Sequence, residues 1–136
     1  MLMSLLVKIG RVEKAIAEGR VHLGFVASLY RLQLRQGRFF LHEHPATALS
    51  WKEDAIADLL RHPDVKSVVA DQCQYGLLSK SPEGVELPVL KPTRFMTNSD
   101  QMRDRLSRRC NRSHVHQPLT GGRCASAAFY PLKLVK

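Results

Sequence analysis

The middle of the chain carries one helical run between two strand-forming runs, and this order constrains the fold more than any other feature. Residues 38–45 are rich in strand formers and stop at a proline, and residues 65–71 form a second such run. Between them, residues 50–61 place apolar side chains at helical spacing. Strand, helix and strand within about 35 residues is typical of a βαβ unit, so we expect two parallel strands joined by a right-handed crossover.

The start of the crossover helix has a specific signature. Ser50 and Glu53 have the spacing of a capping box, in which the two side chains satisfy each other's free backbone amides. Trp51 would then lie in the first helical turn, on a helix whose Ala55 and Leu59 face the sheet. The sequence therefore predicts that Trp51 is largely buried.

Helical spacing also runs through the N-terminal 37 residues. Apolar residues between Ile9 and Ile16 indicate one helix that ends near Gly19, and a second is predicted from Val21 to Gln36. Gly37 follows at the position where helices commonly end with a glycine. The second helix should bury one stripe of side chains, which consists of Leu23, Val26, Ala27, Tyr30 and Leu34.

The C-terminal half contains turn and cap signals. The turn at 81–84 predicts a hairpin between strands 75–79 and 87–97. Asn98 or Ser99 can cap a helix over 100–109 with Met102 and Leu106 facing inward, and a helical turn is expected from Pro131.

These elements predict one α/β domain of 136 residues. It should contain a small sheet in two or three layers, one βαβ crossover, a β-hairpin and an N-terminal helical segment. Residues 1–37 would pack as helices on a basic α/β domain formed by residues 38–136. The apolar start is too short to span a bilayer and lacks a basic leader, so we expect an intracellular protein with no membrane partner.

Positive charge is concentrated at the C-terminal end. Residues 1–90 carry 11 basic and 10 acidic side chains, whereas residues 91–136 carry 10 basic side chains and only two acidic ones. Such a surplus favours a polyanionic partner, RNA or DNA, although a basic surface that only maintains solubility and a face for acidic protein stay open. The candidate phosphate-binding residues are Lys91, Arg94, Arg103, Arg105, Arg108, Arg109, Arg112 and Arg123.

A group of possible zinc ligands follows the basic helix. Cys110, His114, His116 and Cys124 read C-x3-H-x-H-x7-C, and thiolate and imidazole are preferred ligands of Zn²⁺. The spacing is not that of a common zinc finger, so the interpretation we favour is a packed Cys110 with solvent-exposed histidines. We therefore expect little or no bound zinc and treat the four-ligand site as the alternative.

A catalytic alternative rests on two carboxylates. Glu43 and Asp71 lie near the carboxyl ends of the two predicted parallel strands, where open α/β sheets bind ligands. Paired carboxylates there could hold a metal or transfer protons. The competing interpretation is that Glu43 caps a helix end or pairs with an arginine, and that Asp71 opens a turn. The chain has no glycine-rich nucleotide loop, and we expect no cofactor.

Several stretches of the chain match, in order, the pattern of a known family. They are 37–45, Ser50-Trp51, 71–76, 91–99, Arg109-Cys110, His114-Val-His116, 121–123 and Tyr130-Pro131. Through these stretches the chain resembles, from about Tyr30 onwards, an uncharacterised domain in polyproteins of copia-type retrotransposons from microalgae, oomycetes and fungi. Cys124 departs from this pattern, in which alanine is expected near that position, and residues 1–29 match nothing in it.

A weaker likeness connects residues 43–45, 72–76 and Arg94 to the rear half of DNA cytosine methyltransferases. Those enzymes also need a cofactor loop and a Pro-Cys nucleophile on earlier strands, which this chain lacks. The resemblance to retrotransposon polyproteins implies an origin in a mobile element and supplies no activity. Together with the charge of residues 91–136, it favours a non-catalytic nucleic-acid-binding module of retroelement origin, which would also suit a subunit of a ribonucleoprotein assembly. The alternative is a degenerate methyltransferase-like or nuclease-like domain centred on Glu43 and Asp71.

Overall fold

One long helix, α1 (Leu2–Arg35), opens the chain and passes through Gly19 without a break. The computed structural model describes residues 2–120, 124 and 128–135. The prediction of two separate helices is wrong, because Gly19 lies on an exposed side of α1 with no neighbouring atom near it. A glycine there weakens the helix by only about 1 kcal/mol relative to alanine, and the surrounding helix formers outweigh that loss.

The elements after α1 are short. In chain order they are β1 (Leu41–Pro45), α2 (Asp54–Leu60), β2 (Lys66–Asp71), β3 (Leu78–Lys80), β4 (Glu86–Pro88), β5 (Pro92–Thr97), α3 (Asp100–Arg105) and α4 (Leu132–Val135). Together they form a small α/β fold, as the sequence predicts. In the part of the chain that the structure describes, no helix combines the length and the apolar character that crossing a membrane requires.

The end of α1 confirms the role predicted for Gly37. Its φ of +64° is the left-handed conformation that glycine adopts without strain. Its N–H donates to the Leu34 carbonyl, and the Arg38 N–H donates to the Gln33 carbonyl, which is the bonding of a Schellman motif. The C-terminal half of α1 buries Leu23 and Ala27 as predicted.

Three strands form the main sheet in the order β1-β5-β2. Both β1 and β2 pair antiparallel with β5, so they run parallel to each other, but they are not neighbours. The βαβ prediction is right about their direction and wrong about their pairing, because β5 enters between them. Its Phe95 lies opposite Glu43 on one side and Val68 on the other. As an edge strand, β1 is only partly buried, contrary to the buried strand that its composition predicts.

The capping box does not form. A 3₁₀ turn over Leu49–Lys52 comes first, and α2 begins only at Asp54 with no side-chain cap from Glu53. Ser50 instead uses its hydroxyl in a hydrogen bond with His44 Nδ1 at the end of β1. Trp51 is nevertheless buried, as predicted, and its indole N–H donates to the Pro45 carbonyl at 2.9 Å.

The hairpin is present but shorter than predicted. Strands β3 and β4 pair antiparallel across a turn that Gly84 closes with a φ of +82°. The predicted strand 87–97 is divided, and its second part is β5 of the main sheet.

Helix α3 is capped by Ser99, whose hydroxyl accepts from the Met102 N–H, and it ends earlier than predicted. Leu106 is buried as expected, whereas Met102 is partly exposed. Helix α4 follows Pro131, where a helical turn was predicted.

Helices cover both faces of the main sheet. Alternation along β5 directs Met96 and Phe95 to opposite faces. Met96 packs with Ile56 and Leu59 of α2 and with the buried residues of α1. Phe95 packs with Leu106, after α3, and with Leu134 of α4. The sheet is therefore the middle of three layers. The candidate site described below lies at the end of β2.

Candidate metal centre and its basic segment

The candidate site begins at the C-terminal end of strand β2. It ends at Asp71, and the 3₁₀ turn Gln72–Tyr75 that follows carries Cys73. Gly76 ends this turn with a φ of +87°, a left-handed conformation that residues other than glycine rarely adopt. The turn thus holds Cys73 at one edge of the sheet, facing the segment that leaves α3.

That segment, residues 106–116, is called the basic segment below, and no helix or strand is assigned within it. The Asp71 N–H donates to the Arg108 carbonyl at 3.0 Å. Tyr75 Oη donates to the Arg105 carbonyl at 2.8 Å and accepts from the Arg108 N–H at 3.2 Å. These bonds explain why α3 stops at Arg105: the chain leaves the helix to pair with the end of β2.

A buried carboxylate completes the attachment. Asp71 Oδ2 accepts from Arg109 Nε at 2.9 Å and from the Cys110 N–H at 2.8 Å. The Asp71 side chain is only 3% exposed, so its charge needs these partners. The contact fixes the backbone of Cys110 relative to the turn that carries Cys73.

Four potential ligands meet at this point. One ligand atom each from Cys73, Cys110, His114 and His116 lies within 4.8 Å of all the others. Cys110 Sγ is 3.6 Å from His114 Nε2 and 3.5 Å from His116 Nε2. The two imidazole rings lie 4.6 Å apart at an interplanar angle of 76°. All four residues are partly buried, and their donors are those that Zn²⁺ prefers.

Burial acts on the protonation of this cluster. It raises the pKa of the Cys73 thiol, and the neighbouring Cys110 raises that pKa further. Burial, together with His114 and Arg112, lowers the pKa of His116. A lowered pKa favours the neutral ring, whose nitrogen lone pair can bind a metal ion.

The structure does not bring Cys124, the fourth residue of the spacing argument, into this cluster. Cys124 is exposed, and its thiol donates to the Leu119 carbonyl at 3.0 Å instead of joining the cluster. Cys73 takes its place, although 36 residues separate it from Cys110. A signal for Cys73 was present in the sequence, because the stretch 71–76 belongs to the retrotransposon resemblance.

The predicted phosphate-binding residues fall into two groups. Arg105, Arg108 and Arg112 are exposed and pair with no carboxylate among the described residues, and Arg109 keeps 58% of its side chain exposed beside Asp71. The Arg108 guanidinium also lies over the Tyr75 ring at 5.5 Å. These four arginines lie in or next to the basic segment.

The other predicted residues have local partners or fall elsewhere. The Arg94 guanidinium lies 4.6 Å from the centre of the Trp51 ring and donates to Ser67, which indicates a structural role. Arg103 pairs with Asp100 and Asp104.

Lys91 Nζ lies 5.2 Å from the centre of the Tyr130 ring. Arg123, with the preceding glycine pair, lies outside the described residues.

The two carboxylates of the catalytic alternative do not meet. Glu43 lies opposite Phe95 of β5, and Asp71 lies opposite Pro92, so about 10 Å of strand separates their levels in the sheet. Glu43 accepts a hydrogen bond from the Tyr130 hydroxyl, whereas Asp71 holds Arg109 and Cys110. This geometry contains no carboxylate pair.

Comparison with known proteins adds no relative: no family model, no curated protein and no solved structure matches this chain.

Proposed function

We propose that this chain is a non-catalytic nucleic-acid-binding module of retroelement origin. The observation that supports this best is the basic segment, with Arg105 just before it. Hydrogen bonds from its backbone attach it to the end of β2 and to Tyr75, while the side chains of Arg105, Arg108 and Arg112 are exposed. An anchored backbone and exposed guanidinium groups together suit a surface that contacts phosphates.

The charge distribution supports the same partner. Residues 91–136 contain 10 of the 21 basic side chains but only two of the 12 acidic ones. Both of those acids, Asp100 and Asp104, pair with Arg103 and leave the charge of the other arginines in place. Contacts to phosphates carry no sequence information by themselves, so we expect RNA or duplex DNA to bind with little sequence preference.

The retroelement origin rests on the resemblance of the stretches between Tyr30 and Pro131. An intracellular nucleoprotein assembly, such as a ribonucleoprotein that recruited this domain, would suit both that origin and the basic surface. The enzyme alternative loses its support, because Glu43 and Asp71 have separate local partners. A partner of acidic protein remains an outcome that the following test distinguishes.

The direct test is filter binding to a generic RNA and a generic duplex DNA over a range of salt concentrations. If the arginines contact several phosphates, log affinity should fall linearly with log salt, by about 0.7 to 0.9 per contact. No detectable binding of either nucleic acid at low salt would overturn the proposal.

A double variant locates the surface. Arg105→Ala with Arg108→Ala should weaken binding and reduce the salt slope by about two contacts. Stability should change by no more than about 1 kcal/mol, because both side chains are exposed. The matched control is Arg11→Ala with Arg31→Ala on α1, which removes the same charge from exposed positions elsewhere. Equal losses in the two double variants would contradict a localised surface.

A further inference from the structure

We propose that Cys73, Cys110, His114 and His116 bind one Zn²⁺ ion in a closed, structural site. This inference is independent of nucleic-acid binding, because metal content is measured on the protein alone. It also reverses the expectation from spacing, which treated zinc as the less favoured alternative and named Cys124 as a ligand.

The distances in the cluster match tetrahedral coordination. Zn–S bonds near 2.3 Å and Zn–N bonds near 2.05 Å at the tetrahedral angle put a sulfur and a nitrogen ligand about 3.6 Å apart. The observed separations of Cys110 Sγ from the two Nε2 atoms are 3.6 and 3.5 Å. The ligand atoms of the whole group converge within 4.8 Å, so a single ion can reach all four with small side-chain adjustments.

The number and type of ligands specify the metal and its role. Two thiolates and two imidazoles are a common structural zinc set, whereas catalytic zinc keeps one position for water or substrate. Two thiolates also neutralise the charge of Zn²⁺ completely. The partly buried cluster therefore holds no net charge once the metal is bound, and the nearby arginines keep their own charge for other contacts.

The surroundings of Cys110 orient its sulfur atom. Its Sγ accepts from the Arg112 N–H at 3.2 Å, and its own N–H is held by Asp71. Arg112 reaches this position with a φ of +61°, which a residue with a side chain rarely adopts. Outer contacts of this kind fix the orientation of metal ligands and tune their basicity.

The metal would replace missing secondary structure. Residues 106–116 contain no assigned helix or strand, yet they supply three of the four ligands. Zinc would connect them covalently to the turn after β2, across 36 intervening residues. The unfolded chain has no preformed site for the ion, so the free energy of metal binding contributes directly to folding.

The first test is elemental analysis of protein purified from zinc-supplemented medium under reducing conditions. We expect one zinc per chain in the wild type and in the control variant Cys124→Ser. We expect a loss of at least tenfold in zinc content in Cys73→Ser. Zinc below a tenth of an equivalent in the wild type, or zinc that persists in Cys73→Ser and disappears in Cys124→Ser, overturns the site.

A second measurement uses the wild-type protein and does not depend on the folding of Cys73→Ser. X-ray absorption at the zinc edge should show two sulfur ligands at about 2.3 Å and two nitrogen ligands at about 2.0–2.1 Å. Substitution by Co²⁺ should give the strong visible absorption of four-coordinate cobalt with a thiolate charge-transfer band. A disulfide between Cys73 and Cys110 in the freshly purified reduced protein, or a shell without sulfur, contradicts the proposal.

Discussion

Trp51 is the residue whose truncation should destabilise the fold most clearly. Its side chain is 6% exposed, packs between α1, α2 and the sheet, and lies against the guanidinium of Arg94. Trp51→Ala should lower the free energy of unfolding by about 3–5 kcal/mol, the usual range for a large buried aromatic. Urea unfolding followed by far-UV circular dichroism measures this change. Leu49→Ala, at a neighbouring position that is 77% exposed, is the control and should change stability by less than about 0.5 kcal/mol.

His42 should make stability depend on pH. Burial, and secondarily the neighbouring His44, lowers its pKa from 6.5 to about 4. Between about pH 6.5 and pH 4 the His42 ring is therefore protonated in the unfolded chain and neutral in the folded chain. The free energy of unfolding falls as the pH drops through this range. At pH 5 the effect should be of order 2 kcal/mol relative to pH 7.

The variant His42→Gln isolates this contribution. Its free energy of unfolding, measured by urea titration at pH 5 and pH 7, should change less between the two conditions than that of the wild type. Identical pH dependence in the two proteins would show that His42 titrates normally in the fold.

Single residues also show where sequence reasoning is reliable and where it is not. Ser99 caps α3 as predicted, since its partner amide is only three residues away. Ser50 has the same local signal but bonds to His44, because the end of β1 brings that ring within reach. A cap prediction assumes that no residue from another element competes, and the sequence contains no measure of that competition.

Two glycines in or beside α1 give an element-scale test. Gly37→Ala should destabilise the protein by about 1 kcal/mol, because its φ of +64° strains any side chain. Gly19→Ala should stabilise it by about 0.5–1 kcal/mol, because the position is helical and open. Thermal unfolding of both variants checks these signs. A destabilising Gly19→Ala would mean that a helix ends there, as the sequence pattern predicted.

For the strands too, the sequence predicts some features and not others. Composition and turn residues identified β1 and β2 with small errors at their ends, whereas the second strand of the predicted hairpin, 87–97, contains both β4 and β5. The insertion of β5 between β1 and β2 could not be predicted, because the paired residues lie between 21 and 56 positions apart in the chain. Local propensity predicts that residues 92–97 are extended, but it does not predict which strands they pair with.

At the scale of the whole molecule, metal removal should loosen the fold. A chelator in excess should lower the melting temperature of the wild type by roughly 10 °C, because a tightly bound ion contributes several kcal/mol. It should also weaken RNA binding, since the basic segment loses its connection to Cys73 through the ion and keeps only its hydrogen bonds to Asp71 and Tyr75, and added zinc should restore both. Cys124→Ser should respond like the wild type. An unchanged melting temperature would remove the structural role of the ion.

Three of the four residues of the candidate metal site could be recognised from the sequence. Cys110, His114 and His116 are close in the chain, and their spacing alone drew attention to them. Cys73 joins them only because Asp71 and Tyr75 bind the backbone of residues 105–110. A ligand set assembled by tertiary contacts of this kind cannot be read from spacing, whereas the arginine-rich surface beside it follows from charge counts.

The order of strands in the main sheet has a consequence for biosynthesis. β5 is the last of the three strands to be synthesised, so neither β1 nor β2 can pair in the main sheet before β5 is complete. At 5–20 residues per second, about 3 to 10 s pass between completion of Pro45 and completion of Thr97 on the ribosome. During that interval β1 and β2 present unpaired edges, which are templates for wrong association. Slowed translation across residues 46–97 should therefore reduce the yield of correctly folded chains.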